Sequence, residues 1–263
     1  MRGALAGLGI VVTRPAHQAE GLCRLIEADG GRAIRFPVLE IVEPRDTAPL
    51  LAAIDALERF HVAIFISPNA VERAMNLIRA RRGGLPEGLL VAAIGRGSAR
   101  ALRTFGVEPH VYPRRRFDSE ALLALPELAP ERLAGRRVVI FRGEGGREHL
   151  GDVLRARGAE VTYAEAYRRV RPRGDVGRLL KAWARGEIHA IVVTSGEGLR
   201  NLYDMVGKLG RAWLRATPLV VVSERMVQLA AELGFRHPPV VAEAASDEAI
   251  LEALRRWRAG GEA

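Results

Sequence analysis

Lysine, cysteine and aromatic residues are all scarce in this chain. Lysine occurs only at Lys181 and Lys208, so arginine supplies nearly all of the positive charge behind a formal net charge of +9. The one cysteine, Cys23, excludes an intramolecular disulfide and any metal cluster built from cysteine alone. Aromatic residues make up 5% of the sequence, which leaves few side chains for stacking bases, and no nucleic-acid-binding motif is present. We therefore expect no nucleic-acid partner.

Long hydrophobic runs are also missing. No run reaches the roughly 20 apolar residues needed to cross a bilayer, so we expect no membrane partner. The apolar stretch Leu5–Val12 leads into a predicted strand without a signal-like cleavage site, which favours a cytoplasmic protein. The net charge has two interpretations: a coding bias toward arginine, or an acidic ligand such as nucleic acid, phosphate or a polycarboxylate.

The sequence contains no complete motif for binding a metal or a nucleotide cofactor. The six histidines lack metal-ligand spacing. The glycine-rich stretches Gly95–Arg100 and Gly143–Glu148 both lack the last glycine of a dinucleotide-binding loop, and no phosphate-binding P-loop occurs. We expect no metal and no cofactor. His61 and His189 begin equivalent strands and are predicted to be structural, and Cys23 is predicted to be a core residue.

The chain contains an internal repeat. The segment His61–Arg73 reappears as His189–Asn201, with Ser67 and Ser195 in equivalent positions at an offset of 128 residues. Solenoid units repeat every 20–50 residues or so, which makes a repeat of this length a whole domain present twice. Two similar lobes in one chain predict a cleft between them, a common place for small ligands.

Short Val- and Ile-rich runs alternate with amphipathic helical runs through both copies. This pattern is typical of parallel strands covered by helices on both faces. It predicts an α/β protein of two similar flavodoxin-like, doubly wound parallel-sheet domains. A helix is expected from Ser119, with Ser119 as its N-cap, and a short strand at Val111–Pro113.

The domain boundaries have two solutions. The equivalent extended stretches Phe36–Glu43 and Tyr163–Arg171 could pair as a two-stranded bridge. The chain would then leave the first domain near Phe36 and return near Pro172, which makes that domain discontinuous. Two sequential halves are equally compatible with the residues alone.

The turns that follow the predicted strands are small, hydroxylic, glycine-rich or basic. In doubly wound sheets, ligands bind at the carboxyl ends of the strands, and a helix N-terminus favours an anion there. The ordinary alternative is that serine, asparagine and glycine merely cap helices and form turns. The candidate binding residues are Arg14, Ser67, Asn69, Gly95, Ser98, Arg142, Gly143, Arg147, Thr194, Ser195, Ser223 and Arg225.

A series of motifs in these turns resembles the uroporphyrinogen-III synthase family. The matching segments, in chain order, are Val11–Pro15, Phe36–Ile41, Phe65–Val71, Ala93–Gly95, Phe141–Glu148, Ala166–Arg168, Val193–Ser195 and Val222–Arg225. They span roughly residues 9–258. Each motif is weak by itself, whereas their order through the chain is specific.

The resemblance implies two α/β domains joined by a β-ladder linker, and so favours the discontinuous arrangement. Domain 1 would comprise residues 1–36 plus 172–263. Domain 2 would comprise residues 37–171, including linker strands 37–43 and 163–171. The implied enzyme is a cyclising hydro-lyase without cofactor or metal. It converts hydroxymethylbilane to uroporphyrinogen III, with inversion of ring D, through azafulvene and spiro-pyrrolenine intermediates in the inter-domain cleft.

The resemblance also implies roles for individual residues. Tyr167 matches the family's catalytic tyrosine, and Ser98 matches a hydroxyl position. Arg14, Arg142 and Arg147 are candidates for bidentate contacts with substrate carboxylates, the alternative being surface ion pairs. The Gly-Pro-Thr-Thr turn of some members is replaced here by Ser223–Met226, and we expect its Glu224 to point away from an anionic ligand.

The first rival interpretation is a non-catalytic bilobal protein that binds or senses a small ligand. A regulatory protein with a synthase-like domain is the second, and a nucleotide-dependent transferase, which the failed phosphate motifs oppose, is the third. We expect a monomer, and the resemblance allows a transient hand-over of substrate from hydroxymethylbilane synthase.

Overall fold

The chain forms two compact units in the computed structural model, which describes residues 3–260. Unit 1 contains the described residues up to Glu40 and those from Val170 onward, and unit 2 contains Ile41–Arg169. Unit 1 is therefore discontinuous in sequence. The predicted domain limits lie within a few residues of these crossings, and residues 1, 2 and 261–263 of predicted domain 1 lie outside the described range.

Ten strands and twelve α-helices alternate along the described chain. The strands are β1 (Gly9–Val12), β2 (Arg32–Arg35), β3 (Glu40–Val42), β4 (Val62–Phe65), β5 (Leu90–Ala93), β6 (Arg137–Gly143), β7 (Glu160–Val170), β8 (Ala190–Val192), β9 (Leu219–Val221) and β10 (Val240–Val241). The helices are α1 (Ala16–Ala28), α2 (Ala48–Asp55), α3 (Pro68–Arg82), α4 (Arg96–Thr104), α5 (Ser119–Leu123), α6 (Pro130–Leu133), α7 (His149–Ala156), α8 (Val176–Ala184), α9 (Gly196–Met205), α10 (Gly207–Ala216), α11 (Glu224–Glu232) and α12 (Asp247–Gly260). Short 3₁₀ turns occur at Leu57–Arg59 and Pro126–Leu128.

Each unit contains one five-stranded sheet. The sheet order is β10-β9-β8-β1-β2 in unit 1 and β3-β7-β6-β4-β5 in unit 2. In unit 1 the pairs β2–β1, β1–β8, β8–β9 and β9–β10 are parallel. In unit 2 the pairs β7–β6, β6–β4 and β4–β5 are parallel. Counted along the chain, the order in unit 1 is that of flavodoxin-like sheets. The predicted α/β class with two doubly wound parallel sheets is confirmed.

The interior strands β1, β4, β8 and β9 are apolar throughout because both faces of each sheet are covered. In β1, Val11 packs into a core with Leu199 of α9, whereas Ile10 packs into a second core with Leu22 of α1 and Leu254 of α12. All of these side chains are buried completely. Full burial of such a side chain is worth about 1.5–3 kcal/mol, so strands of this kind stabilise the layered fold.

The internal repeat has a structural counterpart in each unit. His61 Nδ1 accepts a hydrogen bond from the backbone N–H of Arg137, and His189 Nδ1 accepts one from Gly9 in the same way. Ser67 and Ser195 both adopt extended backbone conformations, and each hydroxyl caps the helix that follows. The structural roles predicted for His61 and His189 are therefore confirmed, as is burial of Cys23.

The predicted linker strands are neighbours. β3 lies beside β7 at one edge of the unit 2 sheet, and β7 extends over 11 residues. At the opposite edge, the predicted strand Val111–Pro113 is reduced to a single parallel bridge between Val111 and Ala92. The prediction of a strand there was wrong because Pro113 has no N–H to continue a ladder. Within residues 3–260, no helix combines the length and apolar character required to cross a membrane.

The N-cap of α5 also differs from the prediction. The capping residue is Asp118, whose carboxylate accepts a hydrogen bond from Ala121 N at 2.8 Å, and Ser119 is the first residue of the helix. Asp118 also pairs with Arg116. The hydrogen bond from Ala121, followed by the pairing with Arg116, lowers the pKa of the Asp118 carboxyl.

This assignment predicts different effects for neighbouring substitutions. Asp118→Ala should lower the free energy of unfolding because α5 loses its cap, whereas Ser119→Ala should leave it nearly unchanged. Because folding lowers the pKa of Asp118, the carboxylate contributes fully to the free energy of unfolding above its unfolded-state pKa. This contribution is lost as the pH falls through the folded-state pKa. The difference between the variants should therefore shrink below about pH 4, as measured by urea unfolding at several pH values. An equal effect of both substitutions would contradict the assignment.

Candidate active site

Tyr167 is buried near the carboxyl end of β7, with 2% of its surface exposed. Its phenolic oxygen shares a hydrogen bond with Ser67 Oγ at 3.0 Å, and Arg169 Nη2 donates to it at 3.4 Å. Ser67 Oγ also accepts a hydrogen bond from Ala70 N at 3.0 Å as the cap of α3. Tyr167 and Ser67, which are 100 residues apart in sequence, therefore form one hydrogen-bonded group.

A β-bulge sets the position of Tyr167. The register of the β6–β7 pair shifts between Arg142 and Gly143, so that Gly143 lies opposite Tyr167. A Cβ atom at Gly143 would lie 2.7 Å from Tyr167 Cζ, which is closer than side chains can approach. The backbone N–H of Glu144 donates to the Tyr167 carbonyl at 2.7 Å. Glycine at position 143 is thus required by the tyrosine ring that packs on it.

Arg142 is a buried, partly paired cation with 5% of its side chain exposed. Its Nε and Nη2 atoms donate to Glu165 Oε1 at 3.3 and 3.2 Å, and its guanidinium carbon lies 4.0 Å from the Tyr163 ring centroid. Glu165 Oε1 also accepts from Gly145 N at 3.4 Å. Arg142 Nη1 is buried and has no hydrogen-bond partner within residues 3–260. Most of this guanidinium is therefore committed to holding the turn after β6.

The turns after β4 and β5 lie next to each other because Phe65 and Ala93 are paired. Gly97 approaches Pro68, so the first turns of α4 and α3 are in contact. Ser98 is 1% exposed, and its Oγ has no hydrogen-bond partner in the described structure. Asn69 lies in the first turn of α3, and Arg147 is exposed in the turn before α7. Unit 2 therefore gathers its predicted site residues at the carboxyl edge of its sheet.

In unit 1, Arg14 is committed to an ion pair. Its Nη1 contacts the Asp247 carboxylate at the start of α12, and its Nη2 donates to the Ala245 carbonyl at 2.9 Å. Its side chain is 12% exposed. The neighbouring Thr13 Oγ1 donates to the Val192 carbonyl at 2.8 Å. The arrangement of Arg14 corresponds to the ion-pair alternative recognised in the sequence, and Asp247 is the partner that motif reasoning missed.

The other predicted residues of unit 1 share a cavity of about 500 Å³ at the starts of α9 and α11. The predicted site residues that line it are Thr194, Ser195, Ser223 and Arg225. Ser195 Oγ accepts from Gly198 N at 2.9 Å, whereas the Ser223 side chain makes no capping hydrogen bond with α11. Glu224 is exposed and is not among the lining residues, and its orientation relative to a ligand stays a prediction.

Arg200 also lines this cavity, and sequence reasoning missed it. The predicted site residues all lie in or next to turns that follow strands, whereas Arg200 lies in the second turn of α9. Side chains of a helix tilt toward its N-terminus, so a residue one turn inside the helix can reach the space above its start. Glu197 and Glu232 contribute negative charge to the same cavity.

Among the described residues, no cluster of three or more histidine, cysteine, aspartate or glutamate side chains could hold a metal.

The packing of Tyr167 on Gly143 yields a stability prediction. Gly143→Ala should lower the free energy of unfolding by about 1–3 kcal/mol because its methyl group overlaps the tyrosine ring. Gly146→Ala is a matched control in the same turn, since its Cβ would meet only ordinary contacts, the nearest at 3.6 Å. Urea denaturation of both variants checks the prediction, and similar stabilities would contradict it.

The fold and these turns define a class of protein: a two-domain, doubly wound α/β protein whose hydroxyl groups, glycines and arginines lie at the carboxyl ends of parallel strands. The family model described as "Uroporphyrinogen-III synthase HemD" matches residues 20–252. The uroporphyrinogen-III synthase of Escherichia coli K12 is 38% identical over 249 residues, which cover 94% of this chain and 100% of that protein. The Salmonella typhimurium protein of the same name matches equally, with 38% identity over the same shares.

Solved structures show the same fold at low identity. A mutant uroporphyrinogen III synthase from Thermus thermophilus superposes with a TM-score of 0.61 at 20% identity, covering 95% of this chain and 98% of that one. The Helicobacter pylori enzyme gives a TM-score of 0.57 at 14% identity, covering 95% and 99%. The chain belongs to the uroporphyrinogen-III synthase family. It is an enzyme, a cyclising lyase of porphyrin and haem biosynthesis.

Proposed function

We propose that this chain converts hydroxymethylbilane to uroporphyrinogen III by dehydrative cyclisation with inversion of ring D. The observation that carries the mechanistic part is the 3.0 Å contact between Tyr167 and Ser67 at the carboxyl edge of the unit 2 sheet. A phenol is a weak acid, so its contribution depends on position more than on driving force. Tyr167 and Ser67 are the groups through which a proton reaches the leaving hydroxyl.

The proposed reaction begins with loss of water from ring A. The pyrrole nitrogen pushes electrons as the carbon–oxygen bond breaks, and the departing hydroxyl takes a proton from Tyr167 directly or through water. The resulting azafulvene is attacked by the substituted carbon of ring D, which gives a spiro-pyrrolenine. The bond between this ring D carbon and the methylene bridge to ring C then breaks, which leaves an azafulvene on ring C. The other α-carbon of ring D attacks that methylene carbon and closes the macrocycle, and loss of the proton on the attacking carbon restores the aromatic pyrrole and returns the proton spent on water. Atoms balance with water as the only by-product.

Selection of the crowded ring D carbon requires that the carboxylates of the substrate be held in place. The strand-end turns of each unit support this role, because helix N-termini and arginine side chains favour carboxylates. In unit 1 the proposed contacts are Thr194, Ser195, Ser223 and Arg225, joined by Arg200. In unit 2 they are Asn69, Gly95, Ser98, Gly143 and Arg147, with Ser67 serving Tyr167 as well. Holding a reacting chain in a productive geometry can supply much of a rate enhancement.

Arg14 and Arg142 are assigned different parts in the proposal. Both are held by carboxylates of the protein itself, Asp247 and Glu165. Direct contacts from these two arginines to the substrate would require those pairs to open, which costs more for a buried charge than for an exposed one. We assign them the positioning of their turns.

The predicted limits of the domains, the cleft between them, the cytoplasmic location, the monomeric state and the hand-over from hydroxymethylbilane synthase all stay predictions. The absence of a cofactor belongs to the same proposal. Gel filtration with light scattering measures the oligomeric state directly.

An isomer assay tests the reaction. Incubation of hydroxymethylbilane with the protein should yield an excess of the type III macrocycle. If only the type I isomer forms, which is the product of spontaneous closure, the protein is at most a binder.

Tyr167→Phe should slow turnover more than it weakens binding of the product, since the phenol acts on the leaving group. Tyr163→Phe is the matched control on the same strand, because that hydroxyl donates to the Glu148 carbonyl. Equal rates for the two variants would remove the role of Tyr167.

The contact between Ser67 and Tyr167 has its own test. Ser67→Ala and Tyr167→Phe, made singly and together, should show a coupling of about 0.5–1.5 kcal/mol in the free energy of activation. Rates under saturating substrate measure it. Ser195→Ala, which removes the equivalent cap in unit 1, serves as the control and should be additive with Tyr167→Phe. If the effects of Ser67→Ala and Tyr167→Phe on the free energy of activation also add, the Ser67 hydroxyl does not orient the tyrosine.

A further inference from the structure

A basic segment, Pro113–Phe117, lies beside the candidate site in unit 2. It follows Val111, which bridges Ala92 in parallel, so the chain continues past the carboxyl end of β5. Phe117 packs on Gly95: a Cβ atom at Gly95 would lie 2.7 Å from Phe117 Cβ. The Gly95 backbone is extended, so this glycine provides space and not a left-handed turn. The basic segment is therefore anchored on a residue that the proposed function places at the substrate.

A cavity of about 560 Å³ opens between this segment and the α5 region. Its apolar lining includes Val111, Pro113, Ala121, Ala124 and Leu125, and the arginines that line it are Arg114, Arg115 and Arg116. Glu127 is the acidic residue that lines it. Val111 and Pro113 are buried, and we call the apolar lining the floor; the three arginines are exposed, and we call them the rim. Such a lining suits a ligand that has both ring surface and carboxylates, whereas a simple inorganic anion would use only the rim.

The charges on the rim are not all neutralised by the protein. Arg116 is paired with Asp118 at 2.8 Å. Arg114 and Arg115 are exposed, and within residues 3–260 no carboxylate lies at ion-pair distance from either. Arg96 lies 5.3 Å from the Phe117 ring centroid and donates to the Arg114 carbonyl at 3.4 Å, which supports the segment from the first turn of α4.

We infer that this cavity is a subsite for one carboxylate-bearing pyrrole ring of the tetrapyrrole, with the ring on the apolar floor and its carboxylates on Arg114 and Arg115. The inference rests on the proposed function and extends its binding surface. Three strand spacings, about 14 Å, separate β5 from β7 in this sheet. A ligand of four linked rings can therefore reach the subsite and Tyr167 together.

The test compares two double variants that remove the same charge. Arg114→Ser with Arg115→Ser should lower kcat/KM for hydroxymethylbilane at least about fivefold, mainly through KM, and should reduce its dependence on salt. Arg132→Ser with Arg136→Ser is the control, since both arginines are exposed in unit 2 just before the amino end of β6. It should change kcat/KM less than about twofold. Far-ultraviolet circular dichroism confirms that both variants fold.

A binding measurement separates this inference from the proposed function. Titration of each protein with uroporphyrin, an octacarboxylic porphyrin, should give a dissociation constant at least about fivefold higher for the Arg114/Arg115 variant than for the control. Equal constants and equal KM values in the two variants would overturn the subsite. If the unmodified protein forms only the type I isomer, the proposed function fails, and the titration alone then decides whether the subsite exists.

Discussion

The parallel register of the two sheets is the constraint on which the candidate site depends. Parallel strands deliver every following turn to the same edge, so residues far apart in sequence become neighbours there. In unit 2 the pairing of Phe65 with Phe141 and of Gly143 with Tyr167 brings Ser67 to the tyrosine hydroxyl. The bulge at Ala166 of β7 adds the local shift that seats the Tyr167 ring on Gly143. Without this register the same residues would be unrelated caps and turns.

Arginine performs two physical tasks in this protein. Arg14 and Arg142 are largely buried and are held by carboxylates of their own unit, so they stabilise the turns that contain them. Arg114 and Arg115 lie exposed at a strand-end cavity and have no carboxylate partner among the described residues. An unpaired guanidinium is free to bind an external carboxylate bidentately, whereas a paired one would first have to be released. The buried, paired arginines and the exposed, unpaired ones therefore differ in function because of their burial and their partners, although the residue type is the same.

Much of the architecture could be predicted because it depends on short-range patterns. Continuous Val/Ile runs indicate strands covered on both faces, and the repeated strand–Ser–helix segments indicate two related units. The cap of α5 shows where local reasoning falls short: Asp118 and Ser119 are both good capping residues, and the backbone conformation decides between them. Arg200 was missed for a related reason, since its position in the second turn of α9 matters only once the helix start borders a cavity.

The sequence by itself determined the class of the sheets, the repeat, the set of candidate turns and the resemblance to one family, because each depends on residue type and order along the chain. Only the tertiary structure decided which candidates meet. The hydrogen bond between Ser67 and Tyr167 spans 100 residues, and the pairing of Arg14 with Asp247 spans 233. Contacts of this kind have no sequence signature, since they are set by strand order, register and packing after the chain has folded.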